Sequence, residues 1–133
     1  VLKKSIIKMT SQKFDVVIFG AYGVTGLSVM KKMGDIIKAG NNLKWAISGR
    51  DEKKLRSSLD KISKEAEFDG SAVGIIVSST DDVSSLAAMC KQAKVLINLV
   101  GPFPLYGDVV IQACLDNGCN YIDCSSEIGR ASC

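Results

Sequence analysis

Phe14-Asp15-Val16-Val17-Ile18-Phe19-Gly20-Ala21-Tyr22-Gly23-Val24-Thr25-Gly26 is the stretch on which the reading of the fold turns. An almost uninterrupted apolar run ends in glycines that recur every third residue, and a helical pattern follows. Such a run suits a strand buried on both faces of a parallel sheet. Glycine at the strand end permits a tight turn and close backbone approach, and the N–H groups opening the next helix suit an anion such as a pyrophosphate. The spacing is GxxGxxG rather than GxGxxG, but the physical reading is the same. A Walker phosphate loop is excluded because no Gly-Lys-Ser/Thr follows.

Outward from this point the alternation repeats. Strands are predicted at Asp15–Phe19, Lys44–Ser48, Val73–Ser78, Val95–Leu99 and Asn120–Cys124. Helices are predicted from Gly26 to Lys38 and from Asp51 to about Glu65. A third carries Leu86, Met89 and Cys90 and is capped by Asp82 or by Ser79–Asp81. A fourth runs from Asp108 to Asn117, with Gly118 as the residue that ends it. Right-handed crossovers then give an α/β fold, a Rossmann-like doubly wound parallel sheet of five strands in the order 3-2-1-4-5. Ligands of such a sheet bind beyond the carboxyl ends of strands one and four.

The 133 residues are 47% hydrophobic and 23% charged, values of an ordinary globular domain that exclude wholesale disorder. No apolar run reaches the roughly 18 residues of a membrane helix, so the segment is expected to be soluble. The net charge of +3 is carried by Lys3, Lys4 and Lys8, and the remaining body is neutral. A nucleic-acid partner therefore lacks its electrostatic footprint. Residues 1–8 have no signal-peptide core and read as translated leader before a start at Met9, within a leader or disordered segment 1–13. Five cysteines and no histidine suggest a reducing, intracellular compartment. Cys114, Cys119 and Cys124 show no CxxC spacing; they are expected to be small buried hydrophobes, with no metal.

Chemistry is expected at three strand ends. Gly20, Tyr22, Gly23, Val24, Thr25 and Gly26 form the phosphate loop. Strand two ends in Ser48-Gly49-Arg50, where a NAD-binding fold normally carries an acidic residue for the ribose 2′-OH. Gly49 supplies no carboxylate, and the Arg50 guanidinium suits the 2′-phosphate of NADP. Asp51 is the rival that would restore NAD, but it reads as the cap of the second helix; an acid at position 49 is expected to reverse the preference. Asn98 to Gly107 holds two prolines and two glycines where the nicotinamide half should pass. Gly101 permits close approach and Phe103 or Tyr106 can wall the ring, unless the segment is merely a rigid connector. Asn98 is read as either part of that site or a bond to neighbouring loops.

These segments, with Trp45–Arg50, Val95–Gly107, Ala113–Gly118 and Tyr121–Glu127, resemble the saccharopine dehydrogenase-like oxidoreductase family over residues 14–127. The resemblance implies an N-terminal NADP(H)-binding domain, hydride transfer to an unassigned, lipid-related substrate, and residence at a lipid droplet or membrane surface through the part beyond Glu127. It implies cofactor contacts from Ser79, Val100, Gly101 and Phe103. Saccharopine-handling enzymes and bacterial enoyl reductases of lipid synthesis are more distant relatives. Two positions depart from the family: Ser79 replaces an aspartate and Ser126 a glycine. The family continues well past Glu127, so the chain is expected to be a fragment inactive alone, with 128–133 a non-family tail from cloning or translation. A homodimer is expected of the full-length protein. No catalytic residue is assigned, since Tyr22, Tyr106 and Tyr121 all lack a lysine four residues later, and Asp123 and Glu127 are read as structural or ribose contacts. The alternative is a non-catalytic NADP sensor or membrane-associated scaffold that keeps the fold without turnover.

Overall fold

Strand β1 (Phe14–Phe19) lies at the centre of the sheet, between β2 (Trp45–Gly49) and β4 (Ala93–Asn98). The computed structural model describes residues 13–40, 43–99 and 103–123; the expected leader before residue 13 and the tail 128–133 lie outside them. Strands β3 (Gly74–Val77) and β5 (Asn120–Asp123) complete a parallel sheet of order β3-β2-β1-β4-β5, as the alternation predicts. Phe19 is in register with both Ser48 and Asn98, so the three central strands end level with one another.

The pleat sends alternate residues of β1 to opposite faces. Ile18 packs with Met30, Trp45, Leu55, Leu59 and Ile62 beneath α1 (Gly23–Lys38) and α2 (Glu52–Ala66). Val17 and Phe19 pack with Leu86, Met89, Leu96 and Val110 beneath α3 (Val83–Lys91) and α4 (Phe103–Asp116). Lys38, in the last turn of α1, donates to the Ala66 carbonyl at 3.0 Å, placing a cation at the carbonyl end of α2. Asp51 and Asp82 cap α2 and α3 by accepting from the backbone N–H groups of Lys54 and Ser85. Gly118 follows α4 at φ 68°, the conformation its place in the sequence requires.

Two helices begin earlier than the sequence predicts. Helix α1 starts at Gly23, not Gly26, because Tyr22 is the extended residue (φ −123°, ψ 170°) that turns the chain into the helix. Helix α4 starts at Phe103, not Asp108, so half of the expected rigid loop is helix. Pro104 falls in its first turn, where an N–H has no intrahelical acceptor and its absence costs little. Strand bounds shift by one or two residues: β2 includes Gly49, β4 starts at Ala93, and β3 is trimmed to Gly74–Val77.

Candidate functional site

The carboxyl ends of β1 and β2 are tied together before any ligand is considered. Gly20, at φ 85°, donates its N–H to the Ser48 carbonyl at 2.8 Å, and Tyr22 donates back to the Gly20 carbonyl at 2.8 Å. This turn delivers the chain into α1. A Cβ on Gly26 would stand 2.7 Å from the Ala21 carbonyl carbon, so only glycine lets the helix close on the loop. The first turn of α1 contains no acidic residue, and Tyr22 makes no side-chain cap. The N–H groups of Gly23, Val24 and Thr25 thus open the helix without a side-chain cap from Tyr22.

Tyr22 is instead spent on β2. Its Oη accepts the Asp51 N–H at 2.8 Å, and a Cβ on Gly49 would stand 2.3 Å from that oxygen. The ring occupies the place of a residue-49 side chain. An acid at position 49 is therefore not a simple exchange of cofactor preference, as the sequence suggests; it collides with Tyr22. Sequence reasoning placed Tyr22 in the phosphate loop but missed this contact, which spans 29 positions and leaves no local signal.

Beside it opens a groove of about 830 Å³, lined by Tyr22, Arg50 to Lys54 and Arg56. Its carboxylates are already engaged. Asp51 caps α2 through Lys54 N–H at 3.2 Å, and Glu52 pairs with Arg56 at 2.9 Å. Asp51 is thus the cap that the sequence suggests. Arg50 is exposed at the strand end, and among the described residues neither it nor Lys53 nor Lys54 has a carboxylate within salt-bridge distance. The groove offers cations without their own anions.

Other expected positions fall as follows. Ser79 lies two residues beyond β3, where its Oγ accepts from Asp81 N–H at 3.2 Å and its N–H donates to Ser85 Oγ at 3.0 Å. It builds the turn that starts α3. Asn98 is buried at the end of β4 and donates to Tyr121 Oη of β5 at 2.9 Å, so it joins β4 to β5. Val100 and Gly101 lie outside the described residues, and Phe103 is the first residue of α4.

A parallel sheet in this order, with a glycine turn feeding an uncapped helix where the strand order reverses, defines a dinucleotide-binding domain. The glycine-lined loop and the unpaired Arg50 fit such a nucleotide in the residues that are described. Comparison with known proteins gives the same class. Residues 16–132 match the family model described as the saccharopine dehydrogenase NADP binding domain. The chain belongs to that family, and NADP is the cofactor expected from Gly49 and Arg50. It is 41% identical over 115 residues to a "Lipid droplet localized protein" of Caenorhabditis elegans, covering 86% of this chain and 27% of that one. It is 39% identical over 119 residues to the human "Saccharopine dehydrogenase-like oxidoreductase", covering 86% and 28% respectively. The chain spans about a quarter of the length of these relatives. Among solved structures, apo saccharopine dehydrogenase (L-Glu forming) of Saccharomyces cerevisiae shares the fold at a TM-score of 0.60 and 14% identity, covering 90% of this chain and 23% of that one.

Proposed function

We propose that the domain holds NADP(H) with its pyrophosphate on the N–H groups of Gly23, Val24 and Thr25 and its 2′-phosphate on Arg50. The observation that carries this reading is that, among the described residues, the α1 N-terminus has no side-chain cap from Tyr22 and the neighbouring Arg50 guanidinium has no carboxylate partner. Gly20 and Gly26 keep the loop low enough for close approach. The Tyr22 hydroxyl holds Asp51 N–H and with it the start of α2. Lys53 and Lys54 add positive potential along the groove. The nicotinamide half would run toward Val100, Gly101 and Phe103, and the adenine half toward Ser79 beyond β3.

In the whole protein this domain serves hydride transfer, the chemistry that the nicotinamide supplies when bound. The chain's own residues bind and orient it, and the substrate side of the reaction is assigned to the rest of the protein. Alone, the chain is expected to bind NADPH and to turn over no hydroxy- or amino-acid substrate. Residence at a lipid droplet is part of the same reading, supported by the name of the worm relative; a lipid-related substrate and a membrane surface are proposed with it. No helix among the described residues is long and apolar enough to cross a membrane. A homodimer of the whole protein completes the reading, and light scattering would test it. Titration of NADPH into the chain, followed by its fluorescence, should give saturable one-to-one binding that weakens with salt. Linear, non-saturating fluorescence would contradict the assignment.

A further inference from the structure

The opposite face of the sheet carries a group of side chains that the nucleotide does not use. Cys90 lies in the last turn of α3, Cys114 in α4, and Cys119 just before β5. All three are buried, in one apolar cluster with Leu86, Met89 and Val110, and none is in a disulfide. Their sulfurs lie within 4.8 Å of one another, with Cys90 and Cys114 at 3.5 Å. The Cys119 thiol donates to the Asn120 carbonyl at 3.4 Å. Service as small hydrophobes accounts for the burial of these residues but not for the convergence of sulfurs from three separate segments.

A metal–sulfur bond of about 2.3 Å places the sulfurs of a tetrahedral or trigonal site about 3.8–4.0 Å apart. Cys90 and Cys114, at 3.5 Å, are slightly closer than that, and no pair is more than 4.8 Å apart, so small side-chain shifts suffice. Among the described residues no histidine, aspartate or glutamate joins the group. The donor set is three sulfurs in apolar surroundings. Zinc in a structural site takes four ligands, whereas soft thiolates without a fourth donor select a soft ion of low coordination number. We propose that Cys90, Cys114 and Cys119 form a three-sulfur site for one soft metal ion, copper(I) being the ion this donor set satisfies. The sequence expectation of no metal rested on the spacing of Cys114, Cys119 and Cys124; it is the fold that brings Cys90 to the first two. Binding releases thiol protons and ties α3, α4 and the start of β5 together. It leaves the groove at Arg50 untouched, so it stands or falls independently of NADP binding.

The test uses the full chain with Cys124→Ala and Cys133→Ala, which leaves the buried cluster intact. Reduced protein is titrated anaerobically with copper(I) against a chromogenic copper(I) chelator. One copper per chain is expected, with a higher melting temperature and a three-sulfur first shell by X-ray absorption. Adding Cys90→Ala, Cys114→Ala or Cys119→Ala should weaken binding by more than the roughly 10–100-fold that loss of an outer-shell partner costs. Copper retained no better than by a variant lacking all five cysteines would overturn the proposal. So would a first shell of two sulfurs, or of nitrogen and oxygen, a readout that does not depend on whether the alanine variants fold.

Discussion

Helices α1 and α2 begin side by side at the same edge of the sheet, and the chain finishes only one of them. Helix α2 has an aspartate cap, an acidic residue in its first turn and a backbone N–H held by Tyr22. Helix α1 has no side-chain cap, no acid in its first turn, and a glycine packed on the loop before it. The difference separates a helix start that the chain itself caps from one where the proposed pyrophosphate would sit. Tyr22 is the N-cap residue of α1, yet its hydroxyl serves α2.

The most severe way to break this contrast is Gly26→Val. Its Cβ would meet Ala21 backbone atoms, which cannot swing aside as a side chain can. Overpacking of this kind costs about 1–3 kcal/mol, and NADPH binding should be lost altogether; calorimetric titration beside thermal melting checks both. Gly49→Asp comes next. The collision with Tyr22 should weaken NADPH and NADH alike, by about tenfold or ~1.4 kcal/mol. Only in combination with Tyr22→Ser should the new carboxylate favour NADH. A switch by Gly49→Asp alone would show that Tyr22 yields easily.

Removing the cap of the finished helix should do the converse. Asp51→Ala should cost about 1 kcal/mol of stability, a fall of roughly 4 °C in melting temperature, with the ratio of NADPH to NADH affinity unchanged. The smallest effect is expected far from the groove. Asp15 accepts the Lys44 N–H at 2.9 Å and pairs with Lys94 at 3.2 Å, and these contacts hold its carboxyl below the ordinary value of 3.8. Its contribution is therefore complete above that value and disappears as pH falls through the lowered one. Being part-exposed, the pair is worth less than about 1 kcal/mol. Asp15→Asn should lower the melting temperature slightly at neutral pH and not at all in strong acid.

The sheet order was legible because Val16–Phe19 and Val95–Ile97 are apolar on both faces and each is followed by turn residues and an amphipathic helix. Asp51 and Asp82 as caps and Gly118 as a helix stop were legible for the same local reason. Helix starts were less so. Glycine in Gly23–Gly26 and proline at position 104 read as loop, yet a first helical turn tolerates both. The pairing of Tyr22 with Asp51 and the meeting of Cys90 with Cys114 and Cys119 were not legible at all. They depend on which strand ends and helices lie side by side, which no residue spacing encodes.

The proposed cofactor preference rests on Arg50 reading the 2′-phosphate at the end of β2. Its most direct test is calorimetric titration of NADPH and NADH into the wild-type chain and Arg50→Ala at two salt concentrations. A charge-assisted contact is worth about 1.5–3 kcal/mol, so NADPH affinity should fall by roughly one to two decades while NADH affinity barely moves. The salt dependence of NADPH binding should shrink with it. Equal losses for both nucleotides, or no loss for either, would contradict the account and leave Arg50 a solvated surface residue.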